Sequence, residues 1–258
     1  MKGALAWLGG EVLDAVRAVG ALALVLARTV LGLGRMDRRE LARGLVQFGW
    51  GSLPLAVATA ALTGATVVVQ TALYVERFGA RAVLGWAAGY AVLWEFGPLL
   101  LGLVMAARLG ARNAAELATL QVGGQLEGLR GIGLDPFALL VAPRVVAMTV
   151  SMSSLSALTF LVAVLFEAAA AFFTLGLPVR AFFASFQDML HATDVLGGMV
   201  KASAFGLAIS VVSTAVGLRA QGGARAVGQA AAGAVVQGCA AIFVLDFVLT
   251  TTLARWLT

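Results

Sequence analysis

The sequence predicts an all-α integral membrane protein with an N-terminal interfacial helix, five transmembrane helices and one long cytoplasmic loop. Its 258 residues are 61% hydrophobic, with a mean hydropathy of +0.97, well above the apolar fraction of a soluble domain. Five apolar runs are long enough to cross a hydrocarbon core of about 30 Å, and arginines cluster near their ends, as orientation in a bilayer requires. We expect one domain over 1–258, in which 1–45 form the interfacial helix and an elbow and 46–258 form the bundle.

The N-terminal segment, residues 5–33, carries apolar positions at helical spacing. Its purely apolar stretch, 18–27, is too short to span a bilayer, so we predict a helix lying on the cytoplasmic leaflet. A first transmembrane helix is the alternative, because the long side chains of Arg17 and Arg28 could reach the interface. A further helix is predicted to begin with Asp37 as N-cap and Glu40 bonding back to it.

The five predicted spans cover 53–74, 83–106, 140–175, 196–218 and 228–253. The third is longer than a bilayer needs and should tilt or project. With the N-terminus inside, most of the 18 Lys and Arg residues fall on the cytoplasmic side, in agreement with the positive-inside rule. The cytoplasmic ones are Lys2, Arg17, Arg28, Arg35, Arg38, Arg39, Arg43, Arg108, Arg112, Arg130, Arg144, Arg219 and Arg225, which leaves Arg77, Arg81, Arg180, Lys201 and Arg255 for the other side or the membrane.

The loop between the second and third spans is amphipathic. Over residues 108–130, charged residues are interleaved with leucines at a spacing of three to four, which suits a helix lying on a surface or in a partner's groove. Gly123-Gly124 interrupts this pattern, and each glycine costs about 1 kcal/mol relative to Ala in a helix, so we expect two short helices with a bend. Asp135-Pro136 should start the next helix, as N-cap and first helical residue.

Motifs for catalysis and for nucleotide binding are missing from the sequence. No G-x-x-x-x-G-K-[ST] P-loop occurs, and neither does H-E-x-x-H or a Ser/His pair in a hydrolase context. Cys239 and His191 are each the only residue of their type, so we expect no disulfide and no metal site. The net charge of +5 does not indicate nucleic acid, because the arginines follow the ends of the spans. We predict a protein that is not an enzyme and has no catalytic residues.

A set of residues in and around the amphipathic loop resembles a known family. These residues are Glu95, Gly97-Pro98, Arg108, Gly110, Ala115-Glu116-Leu117, Gln125, Leu129, Gly133, Asp135-Pro136 and Pro143-Arg144, together with Lys201-Ala202-Ser203 and the closing segment Leu245-Asp246-Phe247-Val248-Leu249-Thr250. From about residue 44 onward the chain resembles the MlaE/YrbE permeases, the membrane subunits of lipid-moving ABC transporters that work with MCE-domain proteins.

The resemblance implies a function and partners. The chain would be a permease that moves phospholipid or a related lipid between membranes, placed in the bacterial inner membrane with its N-terminus in the cytoplasm. It would hold no cofactor, because ATP and Mg would bind to a separate ATPase chain. Other partners would be an MCE-domain substrate-binding protein, a second copy of the permease and, optionally, a small STAS-type regulatory subunit. The alternative is a non-transporting membrane scaffold or a secondary carrier.

The resemblance also implies two sets of site residues. Contact with the ATPase would be made by Arg112, Glu116, Leu120, Gln125, Glu127, Leu129 and Asp135. Gly124 departs from the family, which commonly has Glu there, so one ion pair to the ATPase is lost. A lipid path at the centre of a dimer would be lined by Trp94, Glu95, Phe96, Leu99 and Leu100. Because Trp94 stands where the family usually has Arg, we expect an apolar wall with one carboxylate.

Ionisable residues inside membrane spans are costly unless they are paired. The spans contain Glu95, Glu167, Lys201 and Asp246. We expect Lys201 to pair with Asp246 or Glu167 and to hold the bundle together. Glu95 is assigned to the lipid path, with a bond to a neighbouring helix as the alternative.

Overall fold

The computed structural model describes residues 2–79, 83–189 and 191–257, and this part of the chain contains helices and no strand. The helices are α1 (Lys2–Gly32), α2 (Arg38–Gly44), α3 (Leu53–Phe78), α4 (Leu84–Ala91), α5 (Gly97–Met105), α6 (Ala111–Val122), α7 (Gln125–Gly131), α8 (Ala142–Leu175), α9 (Val179–Met189), α10 (Ala192–Leu218) and α11 (Ala224–Leu257). Wide turns of π-helical geometry at Leu45–Gly49, Val92–Phe96, Ala106–Gly110 and Phe137–Val141 connect helices without breaking the helical path.

Five helical stretches among the described residues are long and apolar enough to cross a membrane, which confirms the predicted fold class. They are Arg38–Ala72, Leu84–Val122, Phe137–Leu175, Thr193–Leu218 and Ala224–Leu253. The third has 39 residues, or about 58 Å at 1.5 Å per residue, so its predicted excess length is confirmed. Arg81 and the side chain of Lys2, which were assigned to opposite sides of the membrane, lie outside the described residues.

The helix of the second span does not end near residue 106, where the span was predicted to end. Helices α4, α5 and α6 form one continuous path from Leu84 to Val122. The stretch 106–122 contains no proline that would interrupt the helix. The charged residues of the loop therefore make the helix surface polar without ending the helix. The amphipathic loop therefore begins as a direct extension of the span, and a movement of α6 is a movement of α4 and α5.

Helix α1 lies across the ends of other helices and is not among the five membrane-spanning stretches of the described residues. Its Val25 packs in a cluster with Phe137, Val145 and Val211, which brings it to the start of α8 and the last turns of α10. The Arg219 guanidinium also donates a hydrogen bond of 3.0 Å to the backbone carbonyl of Arg17. This placement of the second half of α1 agrees with an interfacial helix. We call the end of the bundle where α1, α6, α7 and the start of α8 meet the basic end.

Small residues allow close contact between helices at Gly85 and Gly89. A Cβ on Gly85 would overlap the Phe182 carbonyl, and one on Gly89 would lie 2.6 Å from the Phe186 ring, because α4 packs directly on α9. Helix α9, Val179–Met189, lies between the predicted third and fourth spans, where no helix was predicted. A Cβ on Gly228 would meet no atom within 4 Å, so this glycine makes no close helix contact among the described residues.

Candidate functional site

A buried ammonium group lies at the centre of a polar cluster inside the membrane-spanning bundle. Lys201 on α10 is fully buried, and its Nζ lies 2.7 Å from Asp246 Oδ1, 2.8 Å from Thr250 Oγ1, and 2.9 Å from both Glu95 Oε2 and the backbone carbonyl oxygen of Trp94. The three N–H donors of the ammonium go to Thr250, Glu95 and Trp94, and the Asp246 carboxylate adds a fourth oxygen beside the charge. We call these five residues the Lys201 cluster.

Three helical segments supply the cluster. Trp94 and Glu95 belong to the wide turn Val92–Phe96, Lys201 to α10, and Asp246 and Thr250 lie four residues apart on one face of α11. The Thr250 hydroxyl accepts from Lys201 and lies 3.2 Å from Glu95 Oε2, to which it donates. The cluster therefore ties the middle of the second span to the fourth and fifth spans.

Pro98 explains why a backbone carbonyl takes part. In an α-helix the carbonyl of residue 94 would accept from the N–H of residue 98, but proline has none. The preceding turn is wide, with the Gly97 N–H donating to the Val92 carbonyl five residues back. The Lys201 ammonium donates to the Trp94 carbonyl instead. The Gly97-Pro98 pair thus produces a local change of helical geometry and an acceptor for the buried lysine.

Exposure differs sharply within the cluster. The side chain of Lys201 is 0% exposed and that of Asp246 10%, whereas that of Glu95 is 38% exposed. With both carboxylates ionised the cluster carries one more negative than positive charge, and the accessible part of that charge is on Glu95. Buried ion pairs are costly to break because the remaining partner is left uncompensated, so the cluster both holds three helices and presents one carboxylate outward.

The contacts of the ionisable residues in the spans agree with the prediction only in part. Lys201 and Asp246 are paired as expected, but Glu95 was expected as a single carboxylate in an apolar wall, and it is ion-paired with Lys201. Glu167 does not join them: it is fully buried on α8, and neither carboxylate oxygen has a hydrogen-bond partner in the described part of the chain. Its neighbours along the helix, Val164 and Ala168, belong to an apolar cluster, and the donors of Lys201 are already used.

The five residues predicted for the lipid path differ in exposure and direction within the described part of the chain. Trp94 points inward: it is buried, and its indole Nε1 donates a 3.3 Å hydrogen bond to Asp194 Oδ1. Phe96 is 44% exposed, Leu99 and Leu100 are half-buried, and Leu99 packs against the central core. The exposed part of the set is therefore the face formed by Glu95 and Phe96.

A small cavity lies on the other side of the same bend. Its volume is about 20 Å³, and it is lined by residues of α3 and α8 together with Val92, Leu93, Gly97, Pro98 and Leu101. A cavity of this size holds about one water molecule, so it is too small for an acyl chain. It contains none of the residues predicted for the lipid path.

The amphipathic loop forms the predicted pair of short helices. α6 ends at Val122 and α7 begins at Gln125, with Gly124 at φ 69°, a left-handed conformation that glycine adopts without strain. Asp135 Oδ1 accepts a 3.0 Å hydrogen bond from the Phe137 N–H, which confirms its capping position.

The start of α2 agrees in part with the prediction. Asp37 caps α2 by accepting from the Arg39 N–H at 2.8 Å. Glu40 was expected to bond back to Asp37, but it forms ion pairs with Arg43 and Arg144.

Two residues predicted to contact the ATPase, Arg112 and Glu116, form ion pairs within the chain. Glu116 forms ion pairs with Arg112 at 2.8 Å and with Arg144 at 3.0 Å, and it accepts a hydrogen bond from Gln47 at 3.3 Å. The Arg144 side chain is 12% exposed and also lies 3.7 Å from Glu40. Glu116 therefore joins the second span, the third span and the elbow after α2, and it is not a free surface charge.

The remaining predicted contacts lie at the tip of the loop. Gln125 and Glu127 on α7 are exposed, and Leu120 and Leu129 are half-buried. Leu120, Gln125 and Leu129 line an open, mainly apolar groove of about 550 Å³ that is completed by Gly128, Ile132, Leu139, Leu140 and Arg144. These residues remain the predicted ATPase surface, whereas the ion pair of Glu116 with Arg144 joins residues that are far apart in the chain.

No group of three or more His, Cys, Asp or Glu side chains that could hold a metal ion occurs within residues 2–79, 83–189 and 191–257.

Comparison with known proteins gives concordant matches. The sequence model of the family described as Permease MlaE matches residues 41–252. A probable ABC transporter permease of Rickettsia typhi is 32% identical over 213 residues, which cover 83% of this chain and 82% of that protein. A probable ABC transporter permease of Synechocystis is 30% identical over 217 residues, covering 84% of this chain and 82% of that protein. Protein TRIGALACTOSYLDIACYLGLYCEROL 1, chloroplastic, of Arabidopsis thaliana is 31% identical over 218 residues, covering 84% of this chain but only 62% of that protein.

Proposed function

Because the chain belongs to the MlaE permease family and is the membrane subunit of an ABC transporter, we propose that it moves phospholipid or a related lipid between membranes. The name of the Arabidopsis relative is that of a glycerolipid, which supports a lipid substrate. The observation that carries the proposal is the half-exposed Glu95 beside the exposed Phe96, inside a membrane span and next to a buried charge cluster. A carboxylate beside an aromatic ring suits an amphiphile with a polar head and an apolar chain.

The lipid route proposed here requires a second copy of the chain. In one copy the face of Glu95 and Phe96 is open, and the nearby cavity is too small for a chain. Two copies that bring these faces together would enclose a central cavity with one exposed carboxylate from each. Leu99 and Leu100, half-buried below the same face, would complete its apolar wall.

ATP is proposed to act from outside the chain, through α6 and α7. A partner ATPase would bind ATP and Mg and dock on the exposed Gln125 and Glu127 and on the groove lined by Leu120 and Leu129. Since α4, α5 and α6 are continuous, displacement of α6 would be transmitted to the turn that carries Glu95. An MCE-domain protein is proposed as the lipid-binding partner, at the end of the bundle away from the ATPase.

The positive-inside rule supports a bacterial inner-membrane protein with the basic end, and so the N-terminus, in the cytoplasm. Arg28, Arg35, Arg130, Arg144 and Arg219 all belong to that end. In this orientation α6 and α7 face the cytoplasm, where ATP is available.

Reconstitution tests the proposed function. The chain would be purified with its ATPase, placed in proteoliposomes containing a fluorescent phospholipid, and mixed with acceptor vesicles carrying the MCE-domain protein. We expect lipid transfer that requires hydrolysable ATP. Equal transfer without ATP would indicate a secondary carrier, and absence of any ATP-hydrolysing partner would indicate a scaffold; either result would reject the proposal.

A further inference from the structure

A second polar site, separate from the Lys201 cluster, lies at the basic end. An open pocket of about 620 Å³ lies between the last turns of α1 and the connection from α7 to α8. Three arginines line it: Arg28 and Arg35 from the α1 side, and Arg130 from α7. A pocket of this volume is within the range of about 300–1,000 Å³ that is usual for small-molecule sites.

The charges of this pocket are not balanced by the protein. Arg28, Arg35 and Arg130 have no ion pair with a carboxylate among the described residues, and the one acidic residue that lines the pocket is Asp135. One oxygen of that carboxylate already caps the Phe137 N–H at 3.0 Å. Three guanidinium groups facing one carboxylate leave an excess positive charge, which favours an anion in the space between them.

Other arginines at the same end contrast with these three. Arg43, Arg112 and Arg144 are each ion-paired with Glu40 or Glu116. Arg108 donates to the Gly51 carbonyl at 2.9 Å and Arg219 to that of Arg17 at 3.0 Å. Arg38, Arg39 and Arg225 also have no ion pair among the described residues, but they do not line this pocket, whereas Arg28, Arg35 and Arg130 converge on it.

The pocket also has an apolar side. Leu31 and Leu134 line it and are 82% and 46% exposed, and the Arg28 guanidinium stacks over the Phe137 ring with 5.1 Å to the centroid, a cation–π contact that holds it in place. With α1 lying at the membrane surface, as the sequence predicts, this pocket lies at the level of lipid headgroups. A free anion would satisfy the arginines but would leave both leucines in water.

We propose that this pocket binds the phosphate of an anionic lipid headgroup, with the lipid's apolar part against Leu31 and Leu134. Guanidinium groups bind phosphate oxygens in bidentate, charge-assisted hydrogen bonds. The bound lipid bridges α1 and the connection that follows α7, so it fixes the interfacial helix against the loop that we assign to the ATPase. The inference needs only a membrane-embedded chain and stands whether or not the proposed transport function is correct.

The experiment compares lipid retention by three forms of the full chain. One is unchanged, one carries Arg28→Gln, Arg35→Gln and Arg130→Gln, and a matched control carries Arg38→Gln, Arg39→Gln and Arg225→Gln, which removes the same charge from exposed positions that do not line the pocket. Each is reconstituted in bilayers of phosphatidylcholine with a minor fraction of phosphatidylglycerol, then extracted, and its bound lipid is measured by native mass spectrometry. Circular dichroism and elution volume establish that each form is folded.

We expect the unchanged chain and the control to retain phosphatidylglycerol over phosphatidylcholine, and the pocket variant to lose at least about tenfold of that preference. If the triple pocket variant does not fold, Arg35→Gln alone, which removes an exposed side chain, is expected to reduce retention severalfold. Equal loss in the pocket and control variants would mean general attraction to an anionic surface and would overturn the site. Full displacement of the lipid by inorganic phosphate would assign the pocket to a soluble anion and would overturn the lipid assignment.

Discussion

The Nζ of Lys201 lies 2.9 Å from the backbone carbonyl oxygen of Trp94, although the two residues are 107 positions apart in the chain. That oxygen lacks its usual helical donor because residue 98 is proline. The same ammonium is ion-paired with both carboxylates of the cluster, Glu95 and Asp246. A change in helix geometry at Gly97-Pro98 and a buried charge on another helix therefore form one structural unit.

The Lys201 cluster predicts that removing the lysine alone destabilises the protein more than removing all three charged side chains together. Lys201→Met should lower the free energy of unfolding by about 3–5 kcal/mol, because two carboxylates lose their only ammonium partner. The combination with Glu95→Gln and Asp246→Asn should recover much of that loss, since no uncompensated charge remains. Thermal unfolding in detergent measures both, with Arg38→Met as a control for loss of an exposed charge. Equal stability of the single and combined variants would show that the pairing has no energetic role.

Removing the carboxylate of Glu167 should not destabilise the protein, in contrast to removing the ammonium of Lys201. It is fully buried and its carboxylate has no hydrogen-bond partner among the described residues, so an apolar side chain of similar length avoids its desolvation cost. Glu167→Met is expected to keep or raise the unfolding temperature, and Glu127→Met, at an exposed position, to leave it unchanged. A clear fall with Glu167→Met would mean that this carboxylate has a partner in the assembled protein.

Two glutamates of the amphipathic loop should separate ATPase binding from folding. Glu127→Lys reverses an exposed charge and should reduce co-purification of the ATPase with little change in unfolding temperature. Glu116→Lys should destabilise the permease itself, because it would place a cation beside Arg112 and Arg144. Pull-down with the ATPase and thermal unfolding are measured on both variants. Undiminished ATPase binding by Glu127→Lys would remove α7 from the proposed contact.

Local signals in the sequence predicted much of the fold. Hydropathy located five spans, Gly123-Gly124 marked the break between α6 and α7, and Asp37 and Asp135 marked helix starts, because each of these depends on a few adjacent residues. Hydropathy could not show that the helix of the second span continues to Val122, since polar residues can continue a helix beyond the membrane. α9 was missed because its segment was treated only as a connection.

The sites were harder to predict because they depend on how helices are rotated against each other. The Lys201–Asp246 pair could be inferred from the cost of leaving either charge alone in a span. Glu95 was assigned to an apolar wall, although its position three residues before Pro98 brings it beside a free carbonyl that attracts a donor. The partner of Glu116 is Arg144, 28 positions later, and nothing local in the sequence indicates that pairing.

The central claim is that lipid passes along the face of Glu95 and Phe96. A photo-crosslinking phenylalanine derivative at position 96 in the reconstituted complex tests it, with position 166 as the control, since Phe166 lies in another span and is 48% exposed against 44% for Phe96. Both positions can meet bulk lipid, so the informative quantity is the change on adding ATP. We expect capture of labelled phospholipid at position 96 to change with ATP hydrolysis while capture at position 166 stays constant. Crosslinks from position 96 to protein alone, or ATP-independent capture at both positions, with transport intact in Glu95→Gln, would contradict the account.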